Sequence, residues 1–129
     1  MIIDTSAIVA IINREPGHER LEQHLLDDPA PKIGGPTVVE AGMVLVGRFG
    51  ARGQTLLARF LQYNDIKTVP FTDQHIELAL DAFGRFGEGR HPAGLNMGDC
   101  LTYAVAAHSG EPLLYVGNDF PKTDLKLAE

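Results

Sequence analysis

The chain has no tryptophan and a single cysteine, Cys100. Neither an internal disulfide nor a cysteine-based zinc site is open to it, and a reducing compartment fits. Basic residues are in the minority, 11 against 17 acids for a net charge of −6, which by itself speaks against a partner built of phosphates. No apolar run approaches the roughly 18 residues of a membrane span. The opening Met-Ile-Ile-Asp carries no basic leader, so a cytoplasmic protein with no membrane partner is expected. What remains is ordinary globular material. A hydrophobic fraction of 44% and a charged fraction of 22% exclude the apolar poverty of disordered chains. A length of 129 residues predicts one domain over 1–129.

Apolar runs bounded by turn residues give the coarse order of elements. Met1 to Ile3 is a short β-run that feeds a helix through Ile12. Residues 17–28 place Leu21, Leu25 and Leu26 on one helical stripe, ended by Pro29 and Pro31. A short strand near Lys32 to Gly35 leads into Thr37 to Phe49, and Gln54 to Tyr63 repeats Leu57, Phe60 and Leu61 at helical spacing. These two segments predict a helical hairpin over about 37–63. A β-rich run, Ile66 to Phe71, precedes a helix opened by Thr72, whose inner face is expected to be Ile76, Leu80 and Phe83. The glycines at 84, 87, 89 and 94 predict a mobile loop, Asn96 opens a helix to about His108, and Pro112 to Val116 reads as a buried strand. Strands alternating with helices predict an α/β fold, a parallel sheet covered by helices on both faces.

In such sheets, sites form beyond the carboxyl ends of the strands. Asp4 directly follows the first strand, Glu40 starts the helix after the second, Asp99 lies in the first turn of the helix from Asn96, and Asp119 follows the last strand. All four map to one edge. Each has an ordinary alternative: Thr37-Val-Val-Glu40 and Asn96-Met-Gly-Asp99 match capping boxes, Asp4 can cap a helix, and Asp119 can make a turn. Independent caps give no reason for four acids to share an edge, and each is worth only about 1 kcal/mol. Clustered carboxylates repel and raise one another's pKa, so a cation must hold them. Oxygen-only ligands suit magnesium or manganese rather than zinc. The five histidines, at 18, 24, 75, 91 and 108, show no paired ligand spacing and read as surface or core residues. Setting aside Asp4, Glu40, Asp99, Asp119 and Asp124 leaves 12 acids facing 11 bases, which removes the objection from net charge.

The ordered motifs Met-Ile-Ile-Asp4-Thr5-Ser6-Ala7, Thr37-Val-Val-Glu40, Leu95-Asn96-Met97-Gly98-Asp99-Cys100 and Gly117-Asn118-Asp119-Phe120, followed by Thr123-Asp124, resemble the PIN-domain family, and within it the VapC-type toxins of bacterial toxin–antitoxin pairs. The resemblance spans nearly the whole chain. It implies that Asp4, Glu40, Asp99 and Asp119 bind the metal, with Asp124 as an additional ligand, Thr5 or Ser6 orienting Asp4, and Asn96 supporting the site. It also implies a magnesium- or manganese-dependent endoribonuclease, usually a homodimer, inhibited by a cognate antitoxin whose C-terminal segment lies across the active edge. The segment Ile33-Gly34-Gly35-Pro36 departs from a plain β-run, which bears on the second strand's length and not on Glu40.

The candidate contacts to RNA phosphates are Arg48, Arg52 and Arg59 on the hairpin, with Arg85, Arg90 and Lys122 nearer the loop and the site edge. A solvated helix face is the alternative for each. Met43, Val44 and Val46 read as core, with a dimer face as the alternative, and Cys100 as a small buried residue. A phosphorylation-controlled receiver domain would need adjacent acids after the first strand, where Thr5 and Ser6 stand. An aspartyl phosphatase would need a second acid at Ser6. A PIN-like module that binds RNA without cutting it is the remaining alternative.

Overall fold

The structure is a computed structural model that describes residues 1–129. Its elements run in the order β1 (Ile2–Ile3), α1 (Thr5–Ile12), α2 (His18–Asp27), β2 (Lys32–Gly34), α3 (Gly35–Phe49), α4 (Arg52–Tyr63), β3 (Lys67–Val69), α5 (Asp73–Phe86), α6 (Met97–Ser109) and β4 (Leu113–Leu114), followed by a 3-10 turn at Phe120–Lys122. The four strands form one parallel sheet in the order β3-β2-β1-β4. β1 pairs with both β2 and β4, so the first strand and the helix it feeds lie at the centre of the sheet.

Alternation along a strand divides the core between the two faces. Ile3, Ile33 and Leu114 point into a cluster with Ile8, Leu21, Leu45 and Leu57 beneath α1–α4. Ile2 and Leu113 point the other way, toward Ala82, Leu95, Tyr103 and Val105 of the α5–α6 layer. Helices therefore cover both faces, as the alternating pattern predicts. The helical hairpin is present as α3 and α4, and Gly53 explains how closely they pack: a Cβ there would stand 2.4 Å from the backbone of Leu45 and Val46. β2 is short because Gly34 already precedes the first turn of α3, where Pro36 sits favourably.

The structure corrects the inner faces of three helices. Ile76, Leu80 and Phe83 are 48%, 71% and 40% exposed, and α5 instead buries His75, Ala79, Ala82 and Phe86. Small alanines let α5 approach α6 closely, so the largest side chains are left on the outside. Met43 and Val46 are likewise exposed, because α3 buries Thr37, Ala41 and Leu45, and core packing is not their role. Leu26 is exposed while Leu21 and Leu25 are buried. The glycine-rich segment after α5 is tied down: Glu88 N donates to Leu95 O at 3.1 Å, Leu95 N donates to Phe86 O at 2.9 Å, and Ala93 and Leu95 are buried. His75 serves as a buried cap. Thr72 N donates to its Nδ1 at 2.9 Å, and burial, with His108 alongside, lowers its pKa.

Candidate active site

Asp4 emerges from β1 and caps α1, its Oδ2 accepting from Ser6 N at 3.0 Å and from Ser6 Oγ at 2.6 Å. The capping alternative thus holds for Asp4, yet it accounts for only one of the two oxygens. Oδ1 accepts from Thr102 Oγ1 at 2.8 Å, and that hydroxyl is 3.1 Å from Thr37 Oγ1. Asp4, Thr37 and Thr102 are all buried. Ser6 reaches further, accepting from Val116 N at 2.9 Å, so one hydroxyl links the Asp4 carboxylate to the chain leaving β4.

Glu40 is not a capping residue. α3 begins at Gly35, before Thr37, and the Glu40 carboxylate turns toward the carboxyl ends of the strands, where Thr5 Oγ1 donates to Oε1 at 2.5 Å. Gly98 makes room for it, since a Cβ there would lie 2.0 Å from Oε2. Asp99 completes a capping box with Asn96: Asn96 N donates to Asp99 Oδ2 at 3.2 Å, and Asp99 N donates to Asn96 Oδ1 at 2.9 Å. That box also orients the carboxylate. Asp99 is pushed up to about 6, first by burial and then by the charges of Asp4, Asp119 and Glu40, which outweigh the Asn96 hydrogen bond. The structure thus brings the four acids within electrostatic reach of one another. None of them forms a salt bridge with lysine, arginine or histidine, whereas Asp81, Asp124 and Glu111 do.

A cleft of about 320 Å³ opens at this edge, lined by Asp4, Glu40 and Asp99 together with Glu15, Val44 and Arg48. The sequence offered no reason to single out Glu15. It lies in the turn after α1, where Arg14 adopts φ 54°, a left-handed conformation that is costly for a side chain of this size. Thr102 and Thr37 were equally silent, although Thr102 lies three residues after Asp99 on α6 and so near its face. Arg48 reaches the cleft; Arg52, Arg59, Arg90 and Lys122 are exposed elsewhere, and Arg90 lies over the Phe83 ring at 5.3 Å. Arg85 and Asp124 do not line the cleft and engage each other. Arg85 Nη2 donates to Asp124 Oδ2 at 2.8 Å, Arg85 Nη1 donates to Asp81 at 3.1 Å, and Tyr103 Oη donates to Asp124 Oδ1 at 2.6 Å. Both Asp124 oxygens are occupied. Burial would raise its pKa, but the Tyr103 and Arg85 hydrogen bonds prevail and hold it below the carboxylate range.

The four acids fit a hard divalent cation in donor chemistry and charge: oxygen donors alone, with repulsion recorded in Asp99 and no basic side chain to offset it. As the side chains stand, no three acidic, histidine or cysteine groups already surround a common point, so the fit rests on chemistry and electrostatics rather than on a preformed cage.

The family model described as PIN domain matches residues 1–126. Ribonuclease VapC36 of Mycobacterium tuberculosis is 43% identical over 127 residues, covering 98% of this chain and 91% of that protein. In fold, the chain is similar to the crystal structure of M. tuberculosis VapC20, described as a toxin cleaving the sarcin-ricin loop, at a TM-score of 0.76 and 17% identity over 96% of this chain and 95% of that one. It is also similar to VapBC2 of Rickettsia felis, solved with a promoter DNA fragment, at a TM-score of 0.72 and 17% identity over 98% and 96%. The chain belongs to the PIN-domain family and, within it, to the VapC ribonucleases.

Proposed function

We propose that this protein is the toxin of a toxin–antitoxin pair, an endoribonuclease that hydrolyses RNA phosphodiester bonds with magnesium or manganese held by Asp4, Glu40, Asp99 and Asp119. The observation that carries the reading is the unpaired acid edge, where burial and then three neighbouring carboxylates push Asp99 up to about 6. A divalent ion bound there would polarise the scissile phosphate and make water acidic enough to attack it. Thr102 and Ser6 fix both oxygens of Asp4, and Thr5 holds one oxygen of Glu40, leaving the other to take a proton from the attacking water. Asn96 fixes Asp99. Arg48, the only basic side chain lining the cleft, is placed to contact a phosphate of the bound strand. No covalent intermediate on the protein is required.

The partners follow from the same reading: an RNA strand, a cognate antitoxin and a second copy of the chain, in the cytoplasm. No helix is long and apolar enough to cross a membrane. Exposed Met43 and Val46 border an apolar groove of about 800 Å³ between α3 and α4. Such a surface suits a protein contact, and we assign it to the homodimer. Sedimentation showing only monomer at micromolar concentration would remove that assignment. For catalysis, Asp4→Asn and Asp99→Asn are expected to abolish manganese-stimulated cleavage of RNA while leaving the circular dichroism spectrum unchanged. Cleavage persisting in both folded variants overturns the mechanism, and a folded wild type that cuts no RNA favours a binding module.

A further inference from the structure

Three of the four acids have side-chain or backbone hydrogen bonds to orient them: Asp4 from Ser6 and Thr102, Glu40 from Thr5, and Asp99 from Asn96. No hydrogen bond of the structure falls on the Asp119 carboxylate. Its position depends entirely on how the segment that carries it is anchored.

That segment has little slack. Lys122 N donates to Asp119 O at 3.1 Å, Thr123 N donates to Phe120 O at 3.0 Å, and Thr123 Oγ1 donates to the same carbonyl at 2.7 Å. Phe120 is buried, its ring against Tyr115 with centroids 6.2 Å apart. The segment leaves β4 at one end and reaches Asp124 at the other, and Asp124 is gripped by Tyr103 and Arg85. Tyr103 lies one turn after Asp99 on α6, on the same face of that helix. It is 3% exposed, and burial followed by the hydrogen bond to Asp124 pushes its hydroxyl up to about 12, so it remains a donor at every physiological pH. Arg85 reaches the same carboxylate from α5 and lies over the Phe86 ring at 4.7 Å. The segment bearing Asp119 is therefore pinned to the helix bearing Asp99.

We propose that Tyr103, Arg85 and Asp124 form a positioning clamp that sets Asp119 against Asp99 and so determines how tightly the acid edge takes up a divalent cation. This rests on the reading of the four acids as its ligands. None of the three clamp residues touches cation or RNA; they act through the 117–124 segment. Neither Asp124 as a ligand nor Arg85 as a phosphate contact is needed.

The test is manganese binding to the purified chain without RNA, followed by electron paramagnetic resonance of the free ion, with Asp99→Asn as control. Tyr103→Phe and Asp124→Asn are expected to weaken manganese binding about tenfold, the size typical of losing a group that supports a ligand. Arg85→Ala should weaken it as well, and Arg85→Lys should recover most of the loss, with the KM for RNA at saturating manganese unchanged in all four. Thermal melts separate a local shift from loss of fold, and Asp124→Asn, at an exposed position, keeps the test open if Tyr103→Phe unfolds. Wild-type affinity in folded Tyr103→Phe and Asp124→Asn, with binding lost in Asp99→Asn, overturns the clamp and leaves the site standing. A higher KM in Arg85→Ala at unchanged manganese affinity also overturns it, in favour of a phosphate contact. Undiminished binding in Asp99→Asn would instead overturn the reading of the acids themselves.

Discussion

The two ends of the sheet treat negative charge in opposite ways. At the amino ends, Glu111 ahead of β4 meets Lys32 at the start of β2, with Nζ 2.9 Å from Oε2, and hydrogen bonds to its basic neighbours are the first cause of a Glu111 pKa below the ordinary range. At the carboxyl ends, Asp4, Glu40 and Asp99 receive hydroxyls and amides, Asp119 receives no hydrogen bond, none of the four meets a basic side chain, and Asp99 is raised. The strands are two or three residues long, so this contrast develops over a few ångströms per strand. One end is neutralised within the chain. The other is left negative, where burial and the neighbouring carboxylates disfavour the ionised form of Asp99.

Removing a hydroxyl that supports the negative edge should give the largest change in stability. Thr102→Val keeps the shape of the side chain but leaves Asp4 Oδ1 and Thr37 Oγ1 without their shared partner in a buried setting. A loss of about 1–3 kcal/mol in unfolding free energy is expected. Cleavage should also fall about tenfold, because Asp4 is freed to rotate. Urea melts and initial rates check both. A stable variant with normal rates would mean that the hydroxyl relay is not what orients Asp4.

The shared edge of the four acids was legible because Asp4 and Asp119 follow β1 and β4 and Asp99 opens α6, places that can be read from where apolar runs stop, while Glu40 lies just inside the helix after β2. Thr102 was not legible, because its partner Asp4 is 98 positions away and a threonine inside an apolar helix reads as filler. The partners of Asp124 were hidden for the same reason. The family resemblance implied an additional ligand there, while the residue that engages it, Arg85, lies 39 positions upstream. The inner face of α5 failed on a physical point. Periodicity weights large apolar side chains, Ile76, Leu80 and Phe83, whereas close packing on α6 selects alanines, whose small volume carries little hydrophobic signal. Gly98 could have been read earlier as a sign of crowding, but only once Glu40 was known to face it.

Asp99 sharpens the contrast through pH. Its carboxyl, at about 6 in the fold against an ordinary 3.8, binds a proton more readily folded than unfolded. The native state thus holds the extra proton between these values, and without divalent cations the stability due to this group falls as pH rises through that window. Above it, ionised Asp99 is a cost. Asp99→Asn removes the charge while keeping an oxygen for the Asn96 amide. The variant is expected to be more stable than wild type at pH 7 in EDTA by about 1–2 kcal/mol, less than the full shift implies because the group is partly solvated, with the difference vanishing near pH 4. Denaturant titrations at the two pH values measure it. A variant destabilised at both would show that the carboxylate is already compensated.

The smallest effect is expected at the neutralised end. Lys32→Met keeps the aliphatic stem and removes one cation from Glu111; both side chains are about one-third exposed, at 34% and 31%. Solvent screens such a pair, so the loss should lie within about 0.2–1 kcal/mol. Manganese affinity and RNA cleavage should match wild type, because the sheet separates the pair from the acids and intervening charge interactions are weak at physiological salt. A clear shift in manganese affinity on Lys32→Met would mean that the two ends are electrically coupled through the short strands. The negative edge would then owe its character to the field of the whole molecule, and the absence of local basic partners would no longer explain it.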